Sequence, residues 1–198
     1  MRTIEAYLED AAAAHGHLCA GQVLGVRMAL RGLSELQLDP DAKDDRQRLI
    51  VYVEIDRCAT DAIASVTGCR LGRRTLKYVD YGKVAATFVD VPTGRAVRVL
   101  ARDEARNLAK AHAVGTGLTK HEAQLRAYQV MSEKDLLVVM PVQVDLPTED
   151  MPGRTLRRVT CNSCGEGIND AREVIVEGRT LCRSCAGGGY YRVLPGVA

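Results

Sequence analysis

Residues 15–21 of the 198-residue chain read His-Gly-His-Leu-Cys-Ala-Gly, so half of its four histidines and one of its seven cysteines fall within five positions. Imidazole nitrogen and thiolate sulfur are the donors that zinc and other borderline-soft divalent metals take. Farther on, Cys58 follows an apolar run and opens a helical pattern, where free backbone N–H groups and the helix dipole favour a thiolate. His17, Cys19 and Cys58 together would supply three soft ligands, the number at which a metal site keeps a fourth position open for exchange or catalysis. Cys69, in 67-TGCRLGRR-74, is a candidate fourth ligand or a neighbouring thiol. Each of these residues also has a plain reading, since free cysteine is common in cores and a lone histidine is usually just hydrogen-bonded.

Cys58 is in addition the candidate catalytic nucleophile, with His15 or Asp61 as acid or base within the same turns. The residues after it are Ala-Thr-Asp, so the second thiol of a CxxC oxidoreductase is missing and disulfide exchange loses its support.

The strongest motif lies near the C-terminus. Cys161-Asn-Ser-Cys164 and Cys182-Arg-Ser-Cys185 are separated by seventeen residues, the spacing of a four-cysteine zinc site. Such a site is coordinatively closed and therefore structural. The segment 172-REVIVEGRTL-181 alternates in a way that predicts a hairpin between the two knuckles. Four thiols at this spacing favour metal over redox chemistry.

Charge excludes little but ranks partners. Residues 1–150 carry 20 basic and 21 acidic side chains, whereas 151–198 carry seven arginines and four acids. That surplus is too small to argue for nucleic acid, whose binding needs many phosphate contacts. The basic stretch 72-GRRTLKYVDYGK-83 reads as a solvated loop, with an anion near the cysteines as the alternative. Early acids at Glu5, Glu9 and Asp10, with no apolar run long enough to span a bilayer, predict a cytoplasmic protein with no membrane partner. His112 and His121 read as solvated, and Gly115-Thr-Gly117 is too short a glycine signal for a phosphate loop.

The elements that must carry these residues follow from periodicity. Thr3 to Ala14 and the segment after HGHLCAG read as helices, so the cluster is a helix-to-helix junction. The stretch 37–48 reads as a loop, 49-LIVYVEI-55 as an interior strand, and Asp56 to Val66 as a turn into a helix stopped by Gly68. Segments 76–79, 84–91 and 95–101, separated by turn signals, predict a run of antiparallel strands. Helices are expected at 103–113 and at 120–132, the latter with a Thr119/Glu122 capping box, then a strand at 136–144 and a linker at 145–153.

The ordered set HGHLCAGQVLGVRMA, 58-CATDAIASVTGCRLGRRTL-76 and 80-DYGKVA-85 resembles the FmdE family, which takes its name from a component of formylmethanofuran dehydrogenase. The four-cysteine tail resembles the treble-clef zinc finger that some members carry. The resemblance implies an α+β domain over residues 1–148, with a thioredoxin-like mixed sheet flanked by helices, and a finger domain over 154–198. It implies a metal near His17, Cys19 and Cys58, expected to be zinc, beside the structural zinc on Cys161, Cys164, Cys182 and Cys185. It also implies association with the molybdenum or tungsten enzyme that reduces carbon dioxide onto methanofuran, hence an oxidoreductase as partner. One departure is Ala20, where the family more usually has proline after the cysteine.

The leading expectation is thus a metal-binding accessory protein of a one-carbon oxidoreductase, forming a homodimer through the finger. The alternatives are a stand-alone metal- or thiol-dependent enzyme using Cys58, and a regulatory or nucleic-acid-binding module acting through the arginine-rich finger.

Overall fold

The computed structural model describes residues 2–111 and 117–194. His112 and Gly115 lie outside the described residues, while His121 is exposed on its helix. The chain divides into two compact units, Met1–Asp145 and Leu146–Ala198. Among the described residues no helix is long and apolar enough to cross a membrane.

In the first unit, α1 (Ile4–His15) starts where the Thr3 hydroxyl accepts the Ala6 N–H. It stops at Gly16, whose φ of 96° is a left-handed cap that glycine adopts without a steric cost. Cys19 is the N-cap of α2 (Ala20–Leu36), the longest helix described. A short helix α3 (Lys43–Gln47) interrupts the stretch expected to be a loop, with Asp44 and Asp45 complementing the dipole of its first turn.

Strand β1 (Leu49–Val53) then leads into α4 (Cys58–Thr67), which Gly68 closes at φ 70°. After α4 come β2 (Leu76–Tyr78), β3 (Ala85–Asp90), β4 (Arg95–Ala101), α5 (Ala105–Ala111), α6 (Lys120–Val130), α7 (Glu133–Leu136) and β5 (Leu137–Val142). The Thr119/Glu122 capping box opens α6 as its sequence predicts.

The five strands form one mixed sheet in the order β2-β1-β3-β4-β5. One expectation is corrected here. Segment 76–79 does not join an antiparallel run with β3; β2 pairs with β1 in parallel, Val51 opposite Leu76. The reason is the intervening helix, since α4 returns the chain to the start of the sheet and a βαβ connection then runs parallel. The following Asp80-Tyr81-Gly82 turn is therefore not a hairpin. It carries the chain past the end of β1, where the Glu54 carbonyl accepts the Tyr81 and Lys83 N–H groups at 3.2 and 3.1 Å. Only then does β3 pair antiparallel with β1.

One sheet face meets the helices. Leu49, Val51 and Val53 of β1, Ala86 and Phe88 of β3 and Val97 and Val99 of β4 lie in the core with Val23, Val26 and Leu33 of α2. The Phe88 ring is fully buried, a burial that stabilises by ~1.5–3 kcal/mol. It fits because position 32 is glycine, where a Cβ would come within 2.3 Å of the ring. At the far end of β3, the Arg48 fork binds the buried Asp90 carboxylate at 2.9 and 2.7 Å. Burial alone would raise that carboxyl; the Arg48 and Thr93 hydrogen bonds win and hold it below the ordinary range.

The second unit is built from β6 (Arg158–Thr160) paired with β7 (Gly167–Asn169), β8 (Val174–Val176) paired with β9 (Arg179–Leu181), and α8 (Arg183–Gly187). Among the described residues its core is Cys161, Ile168 and Leu181, with Val159 and Cys182 against them. A core this small needs a staple to hold it.

Helices α2 and α4 cross closely, and a Cβ at Gly25 would lie 2.3 Å from the Ala59 carbonyl oxygen. Replacing a mid-helix glycine by alanine ordinarily gains about 1 kcal/mol, but overpacking against backbone costs about 1–3 kcal/mol. Gly25→Ala is therefore expected to lower the urea midpoint; an unchanged or higher midpoint would show that the crossing is not tight.

Candidate metal centre

The close α2–α4 crossing brings two helix N-termini together. A Cβ at Gly21 would sit 3.0 Å from the Cys58 Cβ and 3.7 Å from the Cys19 sulfur, so glycine is what lets the two cysteines approach. Gln22, with no exposed surface, donates from its side-chain nitrogen to the Cys58 carbonyl at 2.7 Å, tying the first turn of α4 to α2. The Gln22 Oε1 atom has no partner among the described residues.

Around this crossing the donor atoms of His15, His17 and Cys19 all lie within 4.8 Å of one another. The two imidazole rings are 5.0 Å apart. His15 Nδ1 is 2.9 Å from an Asp61 carboxylate oxygen. Because a carboxylate only accepts, Nδ1 is the donor in that contact, and in the neutral ring Nε2 is then the nitrogen whose lone pair can bind a metal. A carboxylate–histidine pair of this kind orients metal-binding imidazoles.

Of the site residues expected from sequence, His17 and Cys19 are in this trio and Cys58 is beside it, its thiol against that of Cys19. His15, expected only as an acid or base, is the third member. Asp61 is the partner that orients it. Cys69 lies apart in the core, with burial pushing its thiol up. Burial, and then the adjacent Cys19 thiol, also push Cys58 above its ordinary range. The helix N-terminus therefore does not produce the thiolate that the sequence position suggests. Beside Cys58 and His15 opens a cleft of about 450 Å³, walled by Val53, Leu71 and Tyr78 and edged by Asp56 and Arg57.

In the second unit Cys161, Cys164, Cys182 and Cys185 bring their four sulfurs within 4.8 Å of one another. The Cys164–Cys182 separation of 3.9 Å matches the edge of about 3.8 Å that a tetrahedron of 2.3 Å Zn–S bonds requires. The Cys182 N–H donates to the Cys161 sulfur at 3.2 Å, and the Cys185 N–H to the Cys182 sulfur at 3.4 Å. Backbone donors from Cys164 and Cys182 draw Cys161 down to about 6. Against the lowering by the Glu166 N–H, burial and the other three thiols push Cys164 up to about 12. Four thiolates crowded without a cation repel one another, and this donor set fits a divalent metal that relieves the repulsion.

A mixed α/β domain with an imidazole and thiol cluster at a helix junction, joined to a small four-cysteine zinc module, is the class this chain represents. The profile of FmdE, molybdenum formylmethanofuran dehydrogenase operon, matches residues 14–139, and the chain belongs to the FmdE family. The prokaryotic DksA/TraR C4-type zinc finger matches residues 154–191. A crystal structure of a tungsten formylmethanofuran dehydrogenase FmdE-like protein from Syntrophus aciditrophicus has the same fold, with a TM-score of 0.62 and 22% identity, covering 96% of each chain. A protein of Archaeoglobus fulgidus described as a probable S-adenosyl-L-methionine-binding protein is 37% identical over 91 residues, 46% of this chain. The chain spans only 25% of that relative's length.

Two outcomes are expected. Acidification should release zinc from the finger, because bound thiolates take up protons as pH falls and their stabilisation is lost in that direction. A colorimetric chelator assay should show metal retained at neutral pH and freed in acid, with loss of amide protection from β6 to α8; protection that persists after metal removal would contradict a zinc-dependent fold. In the metal-free protein, Cys58 should alkylate more slowly at neutral pH than a free thiol, and Cys19→Ala should speed it. A faster rate than the free thiol would restore the helix-dipole account.

Proposed function

We propose that this protein is a metal-binding accessory component of a molybdenum- or tungsten-dependent one-carbon oxidoreductase of the formylmethanofuran dehydrogenase type. The observation that carries the metal-binding half is the convergence of His15, His17 and Cys19 donors at one helix junction, with Asp61 behind His15. The link to that oxidoreductase rests on the family's name.

On this reading residues 1–148 form the metal-handling domain and 154–198 the finger domain. His15, His17 and Cys19 hold a second metal, zinc being the ion that suits their donor set. Cys58 serves as an exchangeable ligand or as the adjacent thiol. Bound there, the metal would supply a Lewis acid. The chain's own residues do the rest: Asp61 fixes the His15 ring, Gln22 holds the Cys58 turn, and Val53, Leu71 and Tyr78 supply the apolar wall of the cleft. The finger contributes a surface for self-association or for the oxidoreductase partner, and we take the protein to be a cytoplasmic homodimer.

The cleft beside the trio favours one further reading, a metal-dependent enzyme in its own right. Its volume suits a small ligand, and its rim carries Asp56, Arg57 and Asp61 as groups able to orient one. The raised Cys58 thiol speaks against Cys58 as nucleophile in that enzyme and for a role as ligand or neighbour.

Metal analysis of the full-length protein, purified anaerobically, tests the assignment. The wild type is expected to hold about two metals per chain, and the His17→Ala/Cys19→Ser variant about one, with the finger's metal retained. One metal in both proteins would remove the second site and with it the accessory role in metal handling.

A further inference from the structure

The DYGK motif at residues 80–83 takes no part in the metal-handling reading, yet its backbone is held firmly. Both the Tyr81 and Lys83 N–H groups donate to the Glu54 carbonyl, and the Ala85 N–H to the Lys83 carbonyl at 2.8 Å. This turn forms one wall of a cleft of about 360 Å³ in the first unit, separate in its lining residues from the one beside Cys58. The floor is apolar, made by Leu24, Val84, Leu100 and Tyr128.

The rim is cationic. Lys83, Arg98, Arg102 and Arg106 line the cleft, against a single acid, Asp103. Arg98 is already satisfied, its fork engaged by the Glu54 carboxylate at 2.6 Å through both Nε and Nη2. Lys83, Arg102 and Arg106 have no carboxylate partner among the described residues, and Lys83 only leans over the Tyr81 ring at 5.8 Å. Arg102 is anchored through its backbone, its N–H donating to the Leu136 carbonyl and its own carbonyl accepting from Ala105. Three cations are thus brought to one concavity on fixed backbone with their charge left unspent. Like charges gathered around an apolar floor repel unless an anion sits between them.

We propose that this cleft binds a small organic anion, its phosphate or carboxylate group held by Lys83, Arg102 and Arg106 and its apolar body resting on Leu24, Val84, Leu100 and Tyr128. The volume lies at the small end of ligand sites, which suits a compact molecule and not a polymer. Arginine forks at two of the three corners match the geometry of phosphate and carboxylate oxygens.

Isothermal titration calorimetry of the full-length, metal-loaded protein at low ionic strength tests this with phenyl phosphate and phenylacetate, two ring-bearing anions that chelate metals poorly. One of them is expected to saturate a single site per chain, and which one tells a phosphate ester from a carboxylate. The Lys83→Gln, Arg102→Gln and Arg106→Gln variants should each bind roughly tenfold more weakly, as the loss of one charge-assisted contact implies. All three side chains are exposed, so unchanged thermal unfolding checks that the variants remain folded. Arg73→Gln, a cation of a different groove shared with Lys43 and Arg46, should bind as the wild type does. Saturation by neither probe, or a loss in Arg73→Gln equal to that in the three rim variants, would overturn the proposal.

Discussion

The structure depends on how closely α2 can approach α4. Helix axes ordinarily stand 8–10 Å apart, a separation set by the side chains between them. Here Gly21 and Gly25 of α2 face Cys58, Ala59 and Ala62 of α4, leaving no side chain on one partner and small ones on the other. The consequence is chemical. With no side chain at position 21, the N-cap Cys19 and the first residue of α4 can bring their thiols together without a shift, and the end of α1 and the turn before α2 place His15 and His17 in the same space. Gly32 extends the same device one step further by admitting Phe88, so the seam that forms the site also seats α2 on the sheet.

That closeness decides which electrostatic effect governs Cys58. A helix N-terminus stabilises a thiolate by roughly 1 kcal/mol when exposed. A partly buried position beside a second thiol works against it twice, by removing water and by adding a neighbour that would itself be anionic. The second pair of effects prevails. A metal bound there would reverse the balance, since a cation next to Cys19 favours thiolates that mutual repulsion otherwise disfavours. The finger obeys the same logic with more donors. Without a metal, its backbone N–H groups make Cys161 the easiest thiol to ionise, while burial and the neighbouring thiols push Cys164 up to about 12.

Much of this is legible in the sequence where a local pattern determines the outcome. The CxxC pairs, the Gly68 stop, the Thr119/Glu122 box and the hairpin at 172–181 each depend on residues a few positions apart, and each appears in the structure. What local pattern does not carry is which strand lies beside which. Segment 76–79 has the same composition whether it pairs with β1 or β3, and only the return path through α4 decides. The trio has the same limit. His15 sits at the last turn of α1 and reads as an ordinary helix-ending histidine until Asp61, 46 positions later, meets it. A signal for the α2–α4 contact is present, however, in the spacing of Gly21 and Gly25 within 21-GQVLG-25, which puts both on one helix face. The short helix at 43–47 leaves no such signal, because a single turn has no apolar period to reveal it.

The end of β1 links the two parts of the first unit that carry chemistry. Residue 54 closes the strand with its carbonyl on the DYGK turn and its carboxylate on Arg98. Four residues later the same chain opens α4 with Cys58. A shift of the β1 terminus would thus move the turn bearing Lys83 and the helix bearing Cys58 together, since no flexible segment longer than Ile55–Arg57 separates them. Thr60 shortens even that, its hydroxyl donating to the Ile55 carbonyl at 2.5 Å. An anion drawing Lys83 toward Arg102 and Arg106 would act on Glu54 through the Lys83 backbone hydrogen bond, and so on the strand end that leads to Cys58 beside the His15, His17 and Cys19 cluster. Two sites on one short, tied segment have a physical route by which occupancy of one biases the geometry of the other, provided that segment has two discrete arrangements.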